Sequence, residues 1–125
     1  MGNARQHFEA FCQLVEAGDT LTAIERYYAE DVTVFENRAL ARAGRAKCMD
    51  FERAQLAAQP APPRLKILRR AFDAHSQTGF IEYEIRFSSQ AGRPMRLEEV
   101  AVQRWVGDKV DSERFYYEGF VDEGD

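Results

Sequence analysis

The sequence predicts an α+β fold, with three N-terminal helices packed on a curved, mainly antiparallel sheet and a pocket between the two layers. Three observations predict it. Up to residue 58, apolar side chains recur at helical spacing, interrupted by one strand-like stretch; from Arg64 the period changes to two. The strand-like runs after Arg64 are separated by short turn signals, and strands joined that way pair antiparallel. A helix with one apolar stripe and a sheet with one apolar face must each bury it, so the helices have to cover the sheet. The length of 125 residues suits a single domain spanning 1–125, with no repeat or linker.

Residues 4–17 read as the first helix, because Ala4, His7, Phe8, Phe11, Cys12, Leu14 and Val15 form an apolar arc. His7 sits at the edge of that arc, as a boundary residue more than a ligand. Gly18 ends the helix, and Asp19 is placed to cap the next one. Residues 20–28 make a short second helix with Leu21, Ile24 and Tyr28 in its stripe and Tyr27 beside it. The tight Gly18-Asp19 turn predicts a helical hairpin. A first strand covers 32–36. Residues 37–44, NRALARAG, read as a loop in which Arg38, Arg42 and Arg45 gather, either as an anion-attracting rim or as a solvated basic loop balancing nearby acids. A third helix covers 45–58, with Cys48, Phe51, Gln55 and Ala58 on one side, and QPAPP at 59–63 stops it.

Four strands follow. The first, 64–75, has mixed alternation and turns at Ser76–Gly79. In Phe80–Ser89, Ile81, Tyr83, Ile85 and Phe87 face one way and Glu82, Glu84 and Arg86 the other. Leu97–Val106 comes after the turn at Gln90–Pro94, and Gly107-Asp108 reverses the chain into Lys109–Glu118. The acidic tail over 118–125, EGFVDEGD, is expected to fray after Phe120.

Composition narrows the function classes. A formal net charge of −4 gives no electrostatic reason to expect nucleic acid or an anionic membrane as partner. No apolar run is long enough to span a bilayer. The N-terminus lacks a basic region followed by an apolar run, and Gly2 is not followed by the Ser or Thr of a myristoylation signal, so the expected location is the cytoplasm. Cys12 and Cys48 read as buried reduced thiols. No Cys/His spacing indicates zinc or another metal, and no motif calls for a cofactor.

One stretch carries the chemistry. In YAEDVTVFE, Val32, Val34 and Glu36 share a strand face, so a carboxylate closes an otherwise apolar row. A charge in that position must be paired, hydrated or protonated. Glu36 is therefore either a solvated strand end or a functional acid/base.

The order of these elements, with AGD at 17–19, YYAEDVTVFE at 27–36, GR at 44–45 and RWVGDKVDSERFYYE at 104–118, resembles the nuclear transport factor 2-like superfamily, especially its SnoaL-like and ketosteroid isomerase branches. The resemblance covers nearly the whole chain. It implies a cystatin-like α+β cone with a deep pocket and frequent homodimers through the outer sheet face. YAEDVTVFE aligns without a gap with the isomerase word that ends in the general-base aspartate, which places Glu36 at the catalytic base position. The isomerase's oxyanion donors do not carry over: its helix-one tyrosine falls on Phe11 and its protonated aspartate falls near Ala101. Losing one such donor costs roughly a hundredfold or more in rate, so the isomerase's own mechanism is not expected.

If Ala101 faces the pocket, alternation brings Leu97, Glu99, Gln103 and Trp105 with it, and on the last strand Glu113, Phe115 and Tyr117. Tyr27 and Tyr28 stand near the mouth, and Phe11 above. Such a lining suits a small apolar or aromatic molecule oriented by a few polar groups. Three readings stay open: a cofactor-independent proton-transfer enzyme of isomerase, cyclase or dehydratase type with Glu36 as base; a non-catalytic ligand-binding or dimerising domain; and an interaction module whose pocket is filled by side chains.

Overall fold

The protein's structure, a computed structural model, describes residues 3–124; Met1-Gly2 and Asp125 lie outside the described residues. In chain order the elements are α1 (Ala4–Glu16), α2 (Thr20–Tyr27), β1 (Tyr28–Glu36), β2 (Ala39–Ala43), α3 (Arg45–Ala58), β3 (Arg64–Asp73), β4 (Thr78–Ser88), β5 (Pro94–Val106), β6 (Lys109–Tyr116) and β7 (Phe120–Asp122). The strands form one sheet in the order β2-β1-β6-β5-β4-β3, with β7 on β5. Among the described residues only β1 and β6 run parallel. The three helices pack on one face, as the period change in the sequence predicts.

Three segments differ from the sequence reading. NRALARAG is a strand and not a loop. Asn37 takes φ +54°, a conformation asparagine tolerates, so the chain reverses at once and β2 pairs back along β1. β1 starts at Tyr28, four residues early, because Tyr28 is already extended where α2 stops. The tail does not fray after Phe120. β5 is thirteen residues long, and β6 pairs with it only from Val100 onward. The uncovered start of β5 takes up β7 through Met95, Arg96 and Leu97. Ion pairs of Arg93 with Asp122 (2.5 Å) and Arg96 with Glu123 (3.1 Å) hold β7 there. A smaller departure is Asp19, whose side chain makes no cap at α2; its backbone carbonyl accepts from Ala23 N instead.

Packing decides where the hollow lies. In α1, Phe8, Phe11, Cys12 and Val15 follow the i, i+3, i+4, i+7 pattern and are all buried. Trp105 on β5 meets Phe8 and Phe11 edge-on at 6.5 and 6.4 Å, and Tyr27 at 5.9 Å. This aromatic block fills the narrow end of the cone. α3 is different. It buries only Cys48 and Met49.

The block needs a gap in the sheet. Gly79 on β4 lies under the Phe8 ring, and a methyl group there would overlap Cε1 and Cδ1 of that ring. Gly79→Ala should therefore lower stability by about 1–3 kcal/mol through overpacking. Trimming the ring in the same chain, Phe8→Leu, should shrink the penalty of adding the methyl. Urea denaturation of the four chains of this cycle checks it; equal penalties in both backgrounds would show that the ring is not the obstacle.

Candidate functional site

Between α3 and the open half of the sheet lies a cavity of about 300 Å³. That is near the lower bound for small-molecule sites. Most of its wall is apolar: Phe11 and Val15 from α1, Ile24 from α2, Leu65 from β3, Ile85 from β4 and Phe115 from β6. Phe51 and Leu56 of α3 and Phe120 of β7 stand at its edge and are exposed.

Glu36 ends β1 inside this cavity, beyond the fully buried Val32 and Val34. Its Oε1 accepts from the Tyr117 hydroxyl at 2.6 Å, and its Oε2 pairs with Arg42 Nη1 at 2.9 Å. Burial pushes the carboxyl up, but the hydrogen bonds from Tyr117 and Arg42 and the guanidinium charge outweigh it and hold the group below its ordinary range. The hydrogen bond to that carboxylate pushes the Tyr117 phenol up to about 12. Arg42 reaches Glu36 because β2 runs antiparallel to β1, and its guanidinium lies 3.9 Å from the centre of the Phe51 ring.

Glu99 lies on β5, with Tyr83 of β4 opposite it. Among the described residues its carboxyl has no hydrogen-bond partner. Burial, with the repulsion of Glu113 and Glu36, pushes it up to about 8 against a weaker pull from Arg42. The glutamate whose proton is matched to neutral pH is therefore Glu99. Glu36 is shifted in the opposite direction from the one its apolar strand row suggests.

Below both lies a buried chain. Glu113 is fully buried on β6. Tyr28 OH donates to its Oε1, and Gln103 Nε2 donates to its Oε2 at 2.9 Å. Gln103 Oε1 in turn accepts from Trp105 Nε1 at 3.1 Å. An indole N–H can only donate, so it fixes which end of the Gln103 amide faces Glu113. Burial raises the Glu113 pKa even though both oxygens accept hydrogen bonds.

The candidate residues thus divide. Glu36, Phe11, Tyr28, Glu99, Glu113, Phe115 and Tyr117 border the cavity. Ala101, Gln103, Trp105 and Tyr27 do not. They are buried at the narrow end, where α1 and α2 close onto the sheet, so they support the wall without forming it. Arg42, which the sequence reading gathered with Arg38 and Arg45 in a basic loop or rim, borders the cavity and pairs with Glu36; a strand assignment would have set it there. Tyr83 is another, signalled by a phenol in the row of Ile81 and Ile85. Glu52 and Gln55 reach the cavity from α3, and Gln59 from the residue just past its end. His75 is exposed in a turn, and His7 lies beside Tyr27 at 5.8 Å between ring centres. Both cysteines are buried and free, and burial pushes Cys12 up to about 12. Among the described residues, no three His, Cys, Asp or Glu side chains are grouped as metal ligands. No helix among them is long and apolar enough to cross a membrane.

No family model matches the chain, and no curated protein matches it. Solved structures do share its architecture. A candidate SnoaL-like polyketide cyclase from Mesorhizobium loti superposes with a TM-score of 0.72 at 18% identity, over 90% of this chain and 97% of the other. An NTF2-like protein of unknown function from Burkholderia xenovorans gives 0.69 at 22%, over 91% and 81%. SalBIII, an epoxide hydrolase/cyclase-like enzyme of pyran ring formation in the polyether salinomycin, gives 0.78 at 14%, over 98% and 99%. The chain therefore has the NTF2-like, cystatin-type α+β fold. At these identities the likeness is one of fold.

The two carboxyls make opposite demands on pH. The Glu99 proton is held more tightly in the folded chain than the ordinary 4.5. Its contribution to stability is therefore complete below about 4.5 and lost as pH rises through about 8. Glu36 is lowered, so its contribution is present above the unfolded value and lost as pH falls through the folded one. Glu99→Gln should gain stability relative to the parent as pH is raised across that range, and Glu36→Gln should lose least in acid. Urea midpoints measured from below 4.5, for Glu36, up through about 8, for Glu99, test this; pH curves parallel to the parent's would refute the shifts.

Proposed function

We propose that the cavity binds a small, largely apolar molecule and that Glu36 and Glu99 move a proton on it without a cofactor, in a reaction of the isomerase, cyclase or dehydratase type. The observation that carries this reading is a pair of carboxyls in one cavity whose surroundings shift them apart. Such a pair supplies an acid and a base together. Glu36, ionised, takes the base position. Its guanidinium partner makes it a weak base, so it suits a transfer in which Glu99 donates at the same time. Glu99 is mostly protonated at neutral pH and exchanges its proton readily there. A hydroxyl closing onto an electrophilic carbon needs this combination, and among the fold's neighbours SalBIII acts in pyran ring formation. Phe11 and Ala101 offer no donor to an enolate, so isomerisation of the ketosteroid kind is not the reaction proposed.

The test needs no known substrate. Small apolar ketones and alcohols that raise the melting temperature are incubated with the protein in heavy water and recovered for mass spectrometry. Deuterium uptake or rearrangement above the buffer rate is expected, reduced about 10²- to 10⁴-fold in Glu36→Gln and Glu99→Gln. Ligands that bind tightly and return unchanged would favour the second reading, a non-catalytic binding domain, for which the missing oxyanion donors speak.

We also propose that two copies pair through the outer sheet face. Phe80, Val100 and Tyr116 are exposed there on adjacent strands, at 38%, 38% and 51% of their full surface. Light scattering at micromolar concentration should give a dimer mass, and Tyr116→Arg should reduce it to a monomer's. A monomer mass for the parent chain would end this proposal.

A further inference from the structure

The edge of the cavity has two lips, and they are built differently. The exposed apolar side chains that border the cavity are Phe51 and Leu56 on one side and Phe120 on the other, and they mark the way in. Phe51 and Leu56 belong to the fourteen residues of α3. Phe120 belongs to β7, which has three residues, all exposed. It pairs with Leu97 of β5, another cavity residue, so its ring stands on the cavity face of the sheet. There it meets Phe87 edge-on at 5.5 Å.

What holds β7 down is largely charge. Arg93 pairs with Asp122 at 2.5 Å and donates to the Gly124 carbonyl at 2.7 Å. Arg96 pairs with Glu123 at 3.1 Å, and Arg86 pairs with the same carboxylate. These arginines stand on β4, on β5 and in the turn between them, so they belong to the body of the sheet. The backbone adds three paired residues and the Glu123 N–H on the Pro94 carbonyl at 2.9 Å. Ion pairs this exposed are individually weak and are screened by salt. The root of the segment is firmer. Tyr117 N donates to Asn37 Oδ1 at 3.0 Å, and the Tyr117 hydroxyl donates to Glu36. Between this root and β7 lie Glu118 and Gly119, outside any strand, and a Cβ at Gly119 would meet nothing within 4 Å. The backbone is free to turn there without disturbing Tyr117.

We propose that β7 is the gate of the cavity: it swings on Glu118-Gly119, a ligand enters and leaves while it is undocked, and its ion pairs to the β4–β5 hairpin set the rate. This inference rests on the reading of the cavity as a small-molecule site. Of the two lips β7 is the one that yields, because a short, exposed segment with few apolar contacts opens locally at the lowest cost. A gate is crossed in both directions. Loosening it therefore raises the on-rate and the off-rate by one factor and leaves Kd in place. A lost wall contact would instead raise the off-rate alone and weaken Kd. An uncharged ligand has no charge of its own for salt to screen, so a salt effect on its exchange reports the gate.

The experiment is stopped-flow fluorescence with N-phenyl-1-naphthylamine, an apolar probe uncharged at neutral pH, at about 20 mM and about 500 mM sodium chloride. In the parent chain both rates should rise about tenfold between the two, with Kd changing less than about twofold. The double substitution Asp122→Asn with Glu123→Gln removes the ion pairs and keeps the strand. It should exchange the probe at the fast rates already in low salt and should not respond to more salt. Rates that ignore salt in the parent, a doubly substituted chain that responds as the parent does, or an off-rate that rises alone while Kd weakens overturns the gate and leaves the small-molecule reading standing. If the probe does not bind, the small-molecule reading falls and this inference with it.

Discussion

One guanidinium serves a cavity edged by four glutamates, and the rest of the site follows from that shortage. Arg42 can neutralise one carboxyl fully, and β2 places it against Glu36. Once that pair forms, Glu99 and Glu113 have no positive charge of their own. Both are raised, by burial first. Glu36 and Glu99 are therefore unlike, although they are the same residue type on the same sheet. Their difference comes from strand order. β1, β6 and β5 are consecutive neighbours, and the guanidinium sits at the β1 end of that row.

The same accounting explains why the hollow persists. A helix normally closes onto a sheet by burying an apolar stripe. α3 turns Glu52 and Gln55 toward the cavity along with Phe51 and Leu56, and Gln59 follows at its end. Closing that gap would bury polar groups without partners, which costs more than the added apolar contact returns. α1 has no such residues on its inner face, and it packs down onto Trp105. The cone is thus solid at one end and open at the other because the two helices present different chemistry to the same sheet.

Much of this was legible in the sequence, and the limits have physical causes. Period switching gave the layers, and alternation placed Glu36, Glu99, Glu113, Phe115 and Tyr117 on inner faces. Alternation fixes a face and not a depth. It could not tell that Ala101, Gln103 and Trp105 lie beneath α1 and α2, because distance from the helices is a tertiary quantity. β2 was hidden because its residues, ALARA, have weak strand propensity and are held by pairing alone. With β2 went the partner of Glu36, and so the sign of its shift. β7 was hidden for a similar reason: acidic composition suggested fraying, but an unpaired stretch of β5 and arginines on its side of the sheet supply the docking site.

The buried chain beneath the cavity carries the argument one step further. Trp105 can only donate, so Gln103 must turn its oxygen to the indole and its amide hydrogens to Glu113. Glu113 Oε2 is then committed as an acceptor. A proton held by Glu113 can sit only on Oε1, the oxygen that faces Tyr28. In the ionised form Tyr28 gives its hydrogen to that oxygen. In the protonated form the carboxyl donates to the phenol, and the Tyr28 hydrogen is free to point into the cavity it borders. Phe11 stacks on Tyr28 at 6.2 Å. The Tyr28 hydrogen is directed by a carboxyl whose pKa burial raises. Core packing around one indole thus fixes which oxygen of Glu113 meets the phenol at the floor of the cavity.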